Sequence, residues 1–289
     1  MAIYYILTAF SVLLETVKNV LSNVYSKENI KCERDIYQFN VLMYGAAMGV
    51  MLILQIINPS PLSAETAMLS AMFAFAIGGM QTTFLRALRC GPLSYVNFIQ
   101  TSGLVIPALF GAVCYGQAIA IRQIIALPLL LFSMALVMDL KKEKASGKWI
   151  GDAVASMFCL GFVGIIQSIH QASNYADEQN SFLALSFFFV VLINIVSYHF
   201  TSKELPKKKR FSLQSSSLSL LSGVVFGVVN VLNLFLIGVM PSIVFFPIAN
   251  GGLLIATLLA AVWIFRESLN TKQWVGVVIG IISMCMIGV

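Results

Sequence analysis

The sequence predicts an all-α polytopic membrane protein whose ten transmembrane helices form two inverted five-helix repeats. Three observations predict this fold: an apolar composition, ten apolar spans of about membrane-crossing length, and a one-sided distribution of Lys and Arg. Of the 289 residues, 59% are hydrophobic and 10% are charged, and the mean hydropathy is +0.90. Soluble globular domains carry about 25% charged residues. The composition therefore excludes a free soluble protein, and its hydrophobicity also excludes a disordered chain.

Ten apolar spans account for most of the chain. A helix needs about 20 mainly apolar residues to cross a hydrocarbon core roughly 30 Å thick. Outer-membrane barrels show alternating segments of about ten residues instead, so these spans are predicted to be helices. The segments between them are too short to form a soluble domain. Numbered 1 to 10 in chain order, the spans are predicted at 3–24, 36–57, 67–85, 95–115, 119–138, 149–171, 182–200, 213–236, 242–265 and 273–289.

The basic residues lie almost entirely on one side of these spans. Of the 18 Lys and Arg residues, 16 lie in the loops after spans 1, 3, 5, 7 and 9. The opposite side holds Arg122, and Lys18 lies within span 1. Because loops rich in Lys and Arg stay in the cytoplasm, we expect a multi-pass protein of the cell (cytoplasmic) membrane with both termini outside. The basic cluster at 207–210 is interpreted as a topology determinant near anionic lipid headgroups, with no role for nucleic acid.

The ten spans divide into two sets of five. Residues 1–140 form the first predicted repeat, 141–148 a cytoplasmic linker and 149–289 the second repeat, all within one membrane domain. Shifting the chain by 150 residues aligns the spans of the two halves, although few residues are identical. Because five is odd, the two halves must cross the membrane in opposite orientations. Inverted repeats of this kind are typical of secondary transporters.

Two short segments resemble those of a known family. The segment 265–276 (FRESLNTKQWVG) resembles the loop before the last helix in EamA-like members of the drug/metabolite transporter superfamily. The segment 87–94 (ALRCGPLS) resembles the loop between the third and fourth helices of that family. The resemblance implies ten helices and a central cavity lined by spans 1, 3, 4, 6, 8 and 9. This chain departs from the family pattern at Gln117 and Ala126, where a Glu and a Gly are usual.

Polar residues follow single helical faces within five of those six spans. In span 1, Glu15 and Lys18 are followed by Asn19, and in span 6 Gln167 is followed by His170. Residues three or four apart lie on one face of a helix, and polar groups within membranes usually face the bundle interior or a water-filled cavity. The predicted substrate-binding residues are Glu15, Lys18, Asn19, Asn97, Gln100, Gln167, His170, Asn230, Asn233 and Asn250.

The pair of Glu15 and Lys18 allows two interpretations. The two residues are opposite charges within one helical turn near the middle of span 1. The functional hypothesis is a substrate or proton site in which the carboxylate is an acid/base group or a counter-ion. The related small multidrug resistance proteins also carry an essential carboxylate in their first helix. The structural hypothesis is an i,i+3 ion pair that neutralises itself and tolerates burial.

The other polar residues also keep a structural alternative. His170 could titrate near neutral pH or act as a hydrogen-bonding anchor near the membrane interface. The asparagines, with Gln100, could line a cavity or form hydrogen bonds between helices. Glu267, just before span 10, is interpreted as a structural group that satisfies free backbone N–H groups at the start of that helix.

Motifs for other chemistry are missing from the sequence. There is no P-loop, no zinc-protease motif and no nucleophile elbow, and the two histidines, His170 and His199, lie in different spans. The five cysteines are scattered without paired spacing, which disfavours a disulfide framework or a metal cluster. We therefore expect no catalytic residues, no metal and no cofactor, and the protein is not predicted to be an enzyme.

These features predict a secondary active transporter of a small polar or amphipathic metabolite that works by alternating access, with export favoured over import. The alternatives are a passive channel or a membrane-embedded enzyme. The expected partners are the small-molecule substrate, the lipid bilayer and either a coupling proton or an exchanged substrate. The chain is expected to be a monomer or a homodimer.

The predicted orientation can be tested with single cysteines at positions 208 and 289 in a background without the native cysteines. An impermeant thiol reagent added to intact cells should label position 289 and not position 208, because the basic loop should face the cytoplasm. Labelling of position 208 and not of position 289 would show that the protein has the opposite orientation.

Overall fold

The structure of the chain is a computed structural model. Nearly all of the residues that it describes are helical. The described residues are 2–91, 93–116, 120–137, 147–201, 213–265 and 270–288, and no strand occurs among them. They form eleven α-helices: α1 Ala2–Asn29, α2 Glu33–Ile57, α3 Ala64–Cys90, α4 Leu93–Thr101, α5 Val105–Cys114, α6 Ile121–Val137, α7 Gly147–Ala172, α8 Gln179–Phe200, α9 Leu213–Val239, α10 Ser242–Phe265 and α11 Thr271–Gly288.

The helices confirm a multi-pass membrane protein. Within the described part of the chain, eight helical segments are long and apolar enough to cross a membrane. The other two predicted spans correspond to α6, with 17 residues, and α11, with 18 residues. Several helices continue beyond the apolar spans, since a helix can extend into the aqueous boundary once its apolar part has crossed. The basic cluster at 207–210, most of the 141–148 linker, Gln117 and Glu267 lie outside the described residues.

Among the described residues, span 4 is the one predicted span whose helix is interrupted. The α-helical hydrogen-bonding pattern ends at Thr101, gives way to a 3₁₀ turn at Ser102–Leu104 and resumes at Val105. The Thr101 hydroxyl donates to the backbone carbonyl of Asn97, 2.6 Å away. A side chain at Gly103 would collide with the backbone carbonyl of Met157 on α7, so the absence of a Cβ lets the two helices approach closely here.

The loop between α2 and α3 is bound to the start of α8 by side chains. The backbone N–H of Ser181 donates to the Ser60 hydroxyl over 3.0 Å. The Glu178 carboxylate accepts from the Ser63 backbone N–H at 2.9 Å and from its hydroxyl at 2.8 Å. Ser63 in turn caps α3 by accepting from the backbone N–H of Thr66. These bonds fasten the two halves of the chain together at one end of the bundle.

Six segments surround the centre of the bundle, and the remaining helices pack outside them. The central segments are α1, α3, the α4–α5 unit, α7, α9 and α10; α3 packs on α7, α1 on α9 and on α10, and α4 and α5 on α7 and α10. Outside these, α2 packs on α8 and α9, α8 packs on α3, and α6 packs on α11.

An aromatic cluster fills the space between α2 and its neighbours. The ring of Tyr44, which is fully buried, lies 6.0 Å from that of Phe187 on α8 and 5.6 Å from that of Phe226 on α9. Its hydroxyl donates to the carbonyl of Ile77 over 2.9 Å, so the polar end of the ring is satisfied. Asn40 donates at 3.0 Å to Asn194 and thereby joins α2 to α8.

Close packing of α9 on α2 depends on Gly223. A Cβ at this position would collide with the Met43 carbonyl and would lie 2.8 Å from the Cβ of Ala46. We expect Gly223→Ala to destabilise the protein by about 1–3 kcal/mol, the usual cost of overpacking. Gly45→Ala in α2 is the matched control, because nothing lies within 4 Å of a Cβ there. Thermal unfolding in detergent measures both, and an unchanged Tm for Gly223→Ala would contradict the packing described here.

Candidate functional site

The six central segments line a partly open cavity of about 100 Å³. Residues of α1, α3, the α4–α5 unit, α7, α9 and α10 line it, and these correspond to spans 1, 3, 4, 6, 8 and 9, the spans that the family resemblance implies. Seven of the predicted site residues lie on its wall: Glu15, Lys18, Gln100, Gln167, Asn230, Asn233 and Asn250. That these residues bind a substrate stays a prediction.

An ion pair lies at the cavity wall near the middle of α1. The Lys18 ammonium is 2.8 Å from a carboxylate oxygen of Glu15. The Lys18 side chain is 3% exposed and that of Glu15 is 19% exposed, so the carboxylate keeps access to the cavity while the ammonium is enclosed. The ammonium also lies 5.7 Å from the ring centre of Phe84 and 5.2 Å from that of Phe226. Aromatic faces attract cations at such distances, so Lys18 is held by one carboxylate and two rings.

Two hydrogen-bonded links hold the polar wall in place. The Ser11 hydroxyl donates to the side-chain oxygen of Asn233 over 2.6 Å and so joins α1 to α9. The Gln100 amide donates over 2.7 Å to the hydroxyl of Ser156, which donates to the carbonyl of Met80 over 3.0 Å. This second link joins α4, α7 and α3. Both links use part of the hydrogen-bonding capacity of the predicted residues to fix their positions.

Other amides at the wall keep hydrogen-bonding capacity available. Asn230 and Asn250 donate to carbonyls one turn earlier in their own helices, those of Phe226 and Phe246, at 2.9 and 3.0 Å. The side-chain oxygens of Asn230 and Asn250 accept no hydrogen bond from the described residues. The side chain of Gln167 makes no hydrogen bond with the described residues either. Polar groups presented in this way to a cavity can orient a polar ligand.

Three predicted residues lie elsewhere. Asn19 and Asn97 are buried beside the cavity and contact each other, with the Asn19 amide donating to the Asn97 oxygen at 3.5 Å. His170 is fully buried, and its ring stacks on that of Phe182 with 4.3 Å between the ring centres. Neither ring nitrogen of His170 has a hydrogen-bond partner among the described residues. The structure therefore brings seven of the ten together and separates these three from them.

Several lining residues were not predicted from the sequence. Ser11 lies four residues before Glu15 and so continues the polar face of α1 by one turn, which was a usable signal. Phe226, Phe245 and Phe246 form apolar parts of the wall. No signal in the sequence could distinguish these aromatic residues from the many that face lipid or the protein core.

The described residues include no group of three or more His, Cys, Asp or Glu side chains able to hold a metal ion. The cysteines are free and do not line the cavity. The chemistry available at this site is therefore that of one ion pair, several amides and hydroxyls, and aromatic and aliphatic walls.

Comparison with known proteins shows the fold only. No family model matches the chain, and no curated protein matches it. Among solved structures, 28 chains match it. One, a protein crystal structure, superposes with a TM-score of 0.69 over 97% of this chain and 94% of its own length, at 10% sequence identity. The arrangement of nearly the whole chain therefore occurs in a solved structure, and function must be argued from the site.

The ion pair predicts that removing one charge destabilises the protein more than removing both. Lys18→Met should destabilise the protein by about 3 kcal/mol, because it leaves the Glu15 carboxylate without its counter-charge at a position that is only 19% exposed. Adding Glu15→Gln should restore most of that stability, since both charges are then absent. Thermal unfolding measures the effect, with Lys272→Met at the exposed start of α11 as the control. If Lys18→Met is as stable as the unchanged protein, the ion pair contributes nothing to stability.

Proposed function

We propose that this chain is a secondary active transporter that carries a small polar or amphipathic metabolite across the cytoplasmic membrane by alternating access. The observation that carries the proposal is a partly open cavity, which combines an ion pair with a buried ammonium, amides with free hydrogen-bonding capacity and apolar walls at the centre of a bundle of apolar helices. Polar side chains are costly in a membrane, and where they converge on a cavity they usually mark a substrate or ion pathway.

The packing of the helices supports a division into two equivalent halves. In the exchange of the two halves, α1 corresponds to α7, α2 to α8, α3 to α9, the α4–α5 unit to α10 and α6 to α11. This exchange converts the α3–α7 contact into the α9–α1 contact. The same exchange converts the α2–α9 contact into α8–α3, and it returns the α2–α8 and α6–α11 contacts to themselves. A pairing pattern that survives this exchange is expected of two structural repeats. With five spans in each half, the repeats would be inverted, as in many secondary transporters.

The interruption of span 4 is a second supporting feature. Transporters commonly build their central sites from discontinuous helices, since irregular backbone is tolerated at membrane depth only where it is buried or lines a cavity. Here the 3₁₀ turn at Ser102–Leu104 separates α4 from α5, and Thr101, Gly103 and Leu104 line the cavity. The EamA-like family resemblance implies a cavity lined by the same six spans that line it here, and membership of that superfamily is part of the proposal.

The composition of the wall indicates the kind of cargo. Sites for drug-sized ligands occupy about 300–1,000 Å³, so a cavity of about 100 Å³ suits a small metabolite. Glu15 and Gln167 offer polar contacts, while Phe245 and Leu253 offer an apolar surface. The proposed cargo therefore has a polar group and a small apolar part.

Glu15 is the proposed coupling group. Its carboxylate lines the cavity and pairs with Lys18, so cargo and a proton could both act at this one group. We further propose that both termini lie outside the cytoplasm and that export is favoured, with a proton or an exchanged substrate as the driving partner. These statements come from the distribution of basic residues and from the family resemblance.

The test begins with a ligand screen on purified protein, in which a compound that raises the Tm is chosen as cargo. In liposomes, the unchanged protein should accumulate this compound against its gradient when a pH or substrate gradient is imposed. A channel would dissipate the gradient without accumulation, and an enzyme would return a chemically altered compound. Either result would overturn the proposal.

Glu15→Gln tests the coupling role. The amide keeps the size and polarity of the carboxylate and cannot titrate, so pH-driven uptake should fall by at least about tenfold (1.4 kcal/mol) while exchange of cargo persists. Glu65→Gln at the exposed start of α3 is the control and should transport normally. If the double variant Glu15→Gln/Lys18→Met shows full pH-driven uptake, Glu15 has no coupling role and the ion pair is only structural.

A further inference from the structure

A second polar region lies next to the cavity, farther along α1. Beyond Lys18, toward Asn29, six side chains carry seven buried nitrogen or oxygen atoms that have no hydrogen-bond partner in the described chain. None of the six is more than 1% exposed. We call them the inner polar cluster; they are Asn19, Ser22 and Asn23 of α1, Gln81 of α3, Asn97 of α4 and Ser222 of α9.

The packing of α1 against α9 brings the two serines of the cluster to one level. Ser11 bonds to Asn233, and Lys18 lies against Phe226. Between these two contacts the residue number rises by seven along α1 and falls by seven along α9. This is the pattern expected of two antiparallel helices. Continuing by one helical turn from Lys18 places Ser22 level with Ser222.

The packing of α1 beside α3 adds Gln81 to the same region. The Ser26 hydroxyl donates to the carbonyl of Leu85 over 3.4 Å, which brings these parts of α1 and α3 together. One turn earlier along each of these two helices are Ser22 and Gln81. On the neighbouring face of α1, Asn19 contacts Asn97 of α4.

Unpaired polar atoms at such depth need partners. A buried donor or acceptor without a hydrogen bond costs free energy comparable to losing a bond, and native proteins usually satisfy such groups with side chains or ordered water. Other buried serines here are satisfied: Ser70 donates to the carbonyls of Thr66 and Phe182, at 2.7 and 3.1 Å. Ser22 and Ser222 therefore lack the hydrogen bond that Ser70 makes.

Lys18 lies at the junction of the cavity and the cluster. Its ammonium is 5.7 Å from the ring centre of Phe84 and 5.2 Å from that of Phe226, and it pairs with Glu15. Lys18, Glu15 and Phe226 all line the cavity. The cluster begins at the next residue along α1. The lining of the cavity and the cluster therefore meet at Lys18 along α1.

We propose that the inner polar cluster is a hydrated binding region that forms the second half of the transport path and is closed from the cavity by Lys18, Phe84 and Phe226. Its amides and hydroxyls carry no net charge, so it takes water and neutral hydroxyl or amide groups of the cargo. In this proposal the three side chains form a partition, which opens when Lys18 leaves the two rings while Glu15 remains its partner on the cavity side. This inference rests on the proposed transport function.

The test uses single cysteines in a background without the native ones. The variants Ser22→Cys and Ser222→Cys change one atom each, and Ser70→Cys is the matched control, since Ser70 is equally buried but fully hydrogen-bonded. The probe is methyl methanethiosulfonate, a small uncharged reagent. Both cluster cysteines should react at least about tenfold faster than the control, because labelling follows the population of water-accessible states.

A further change tests the partition. Introducing Glu15→Gln with Lys18→Ala into the Ser22→Cys protein should raise its labelling rate again, because Ala removes the side chain that contacts both rings. The same pair of changes should leave Ser70→Cys unreactive. If the cysteines at 22 and 222 react as slowly as the one at 70, the hydrated region does not exist and the inference is wrong.

Labelling does not need an identified cargo, so the two proposals can fail separately. Coupled transport with inert cysteines at 22 and 222 would overturn the inner path alone. Fast labelling in a protein that moves no compound would overturn the transport function and with it the role of the cluster as a path.

Discussion

Hydrocarbon offers no hydrogen-bond partners, and the architecture of this chain follows from that constraint. Every backbone N–H and C=O within the membrane must be satisfied inside its own segment, which selects helices. Once the backbone is satisfied, helices associate through close packing and a few side-chain hydrogen bonds. Both are visible between α2 and its neighbours, where Gly223 of α9 allows contact with the Met43 carbonyl and Asn40 bonds to Asn194 of α8.

The same constraint makes interior polar groups informative. A soluble protein can expose a surplus amide to water, whereas a membrane helix must either pair it or direct it to a hydrated space. Here many amides and hydroxyls collect on the inward faces of the central segments, around Glu15 and Lys18. Some are tied to neighbouring helices, as in the chain from Gln100 through Ser156 to Met80. The others, such as Gln167, keep their hydrogen-bonding capacity for a ligand or for water.

The ion pair shows how much of the site could be predicted. Its spacing of three residues placed Glu15 and Lys18 on one helical face, and the structure confirms the contact at 2.8 Å. The enclosure of Lys18 by Phe84 and Phe226 could not be predicted, because neither ring carries a polar signal and each comes from a different helix. For the same reason the predicted face of α1 did not separate Glu15, which lines the cavity, from Asn19, which contacts Asn97 beside it.

The sequence by itself determined the membrane class, the helical spans and which side chains face inward, because each depends on local hydropathy and on the helical repeat. Tertiary structure alone decided the interruption of span 4 near Gly103, the stacking of His170 on Phe182 and the contact of Lys18 with the rings of Phe84 and Phe226. These features depend on the rotation and register of one helix against another. Rotation and register are set by steric fit between residues far apart in the chain, which hydropathy along a single helix does not encode.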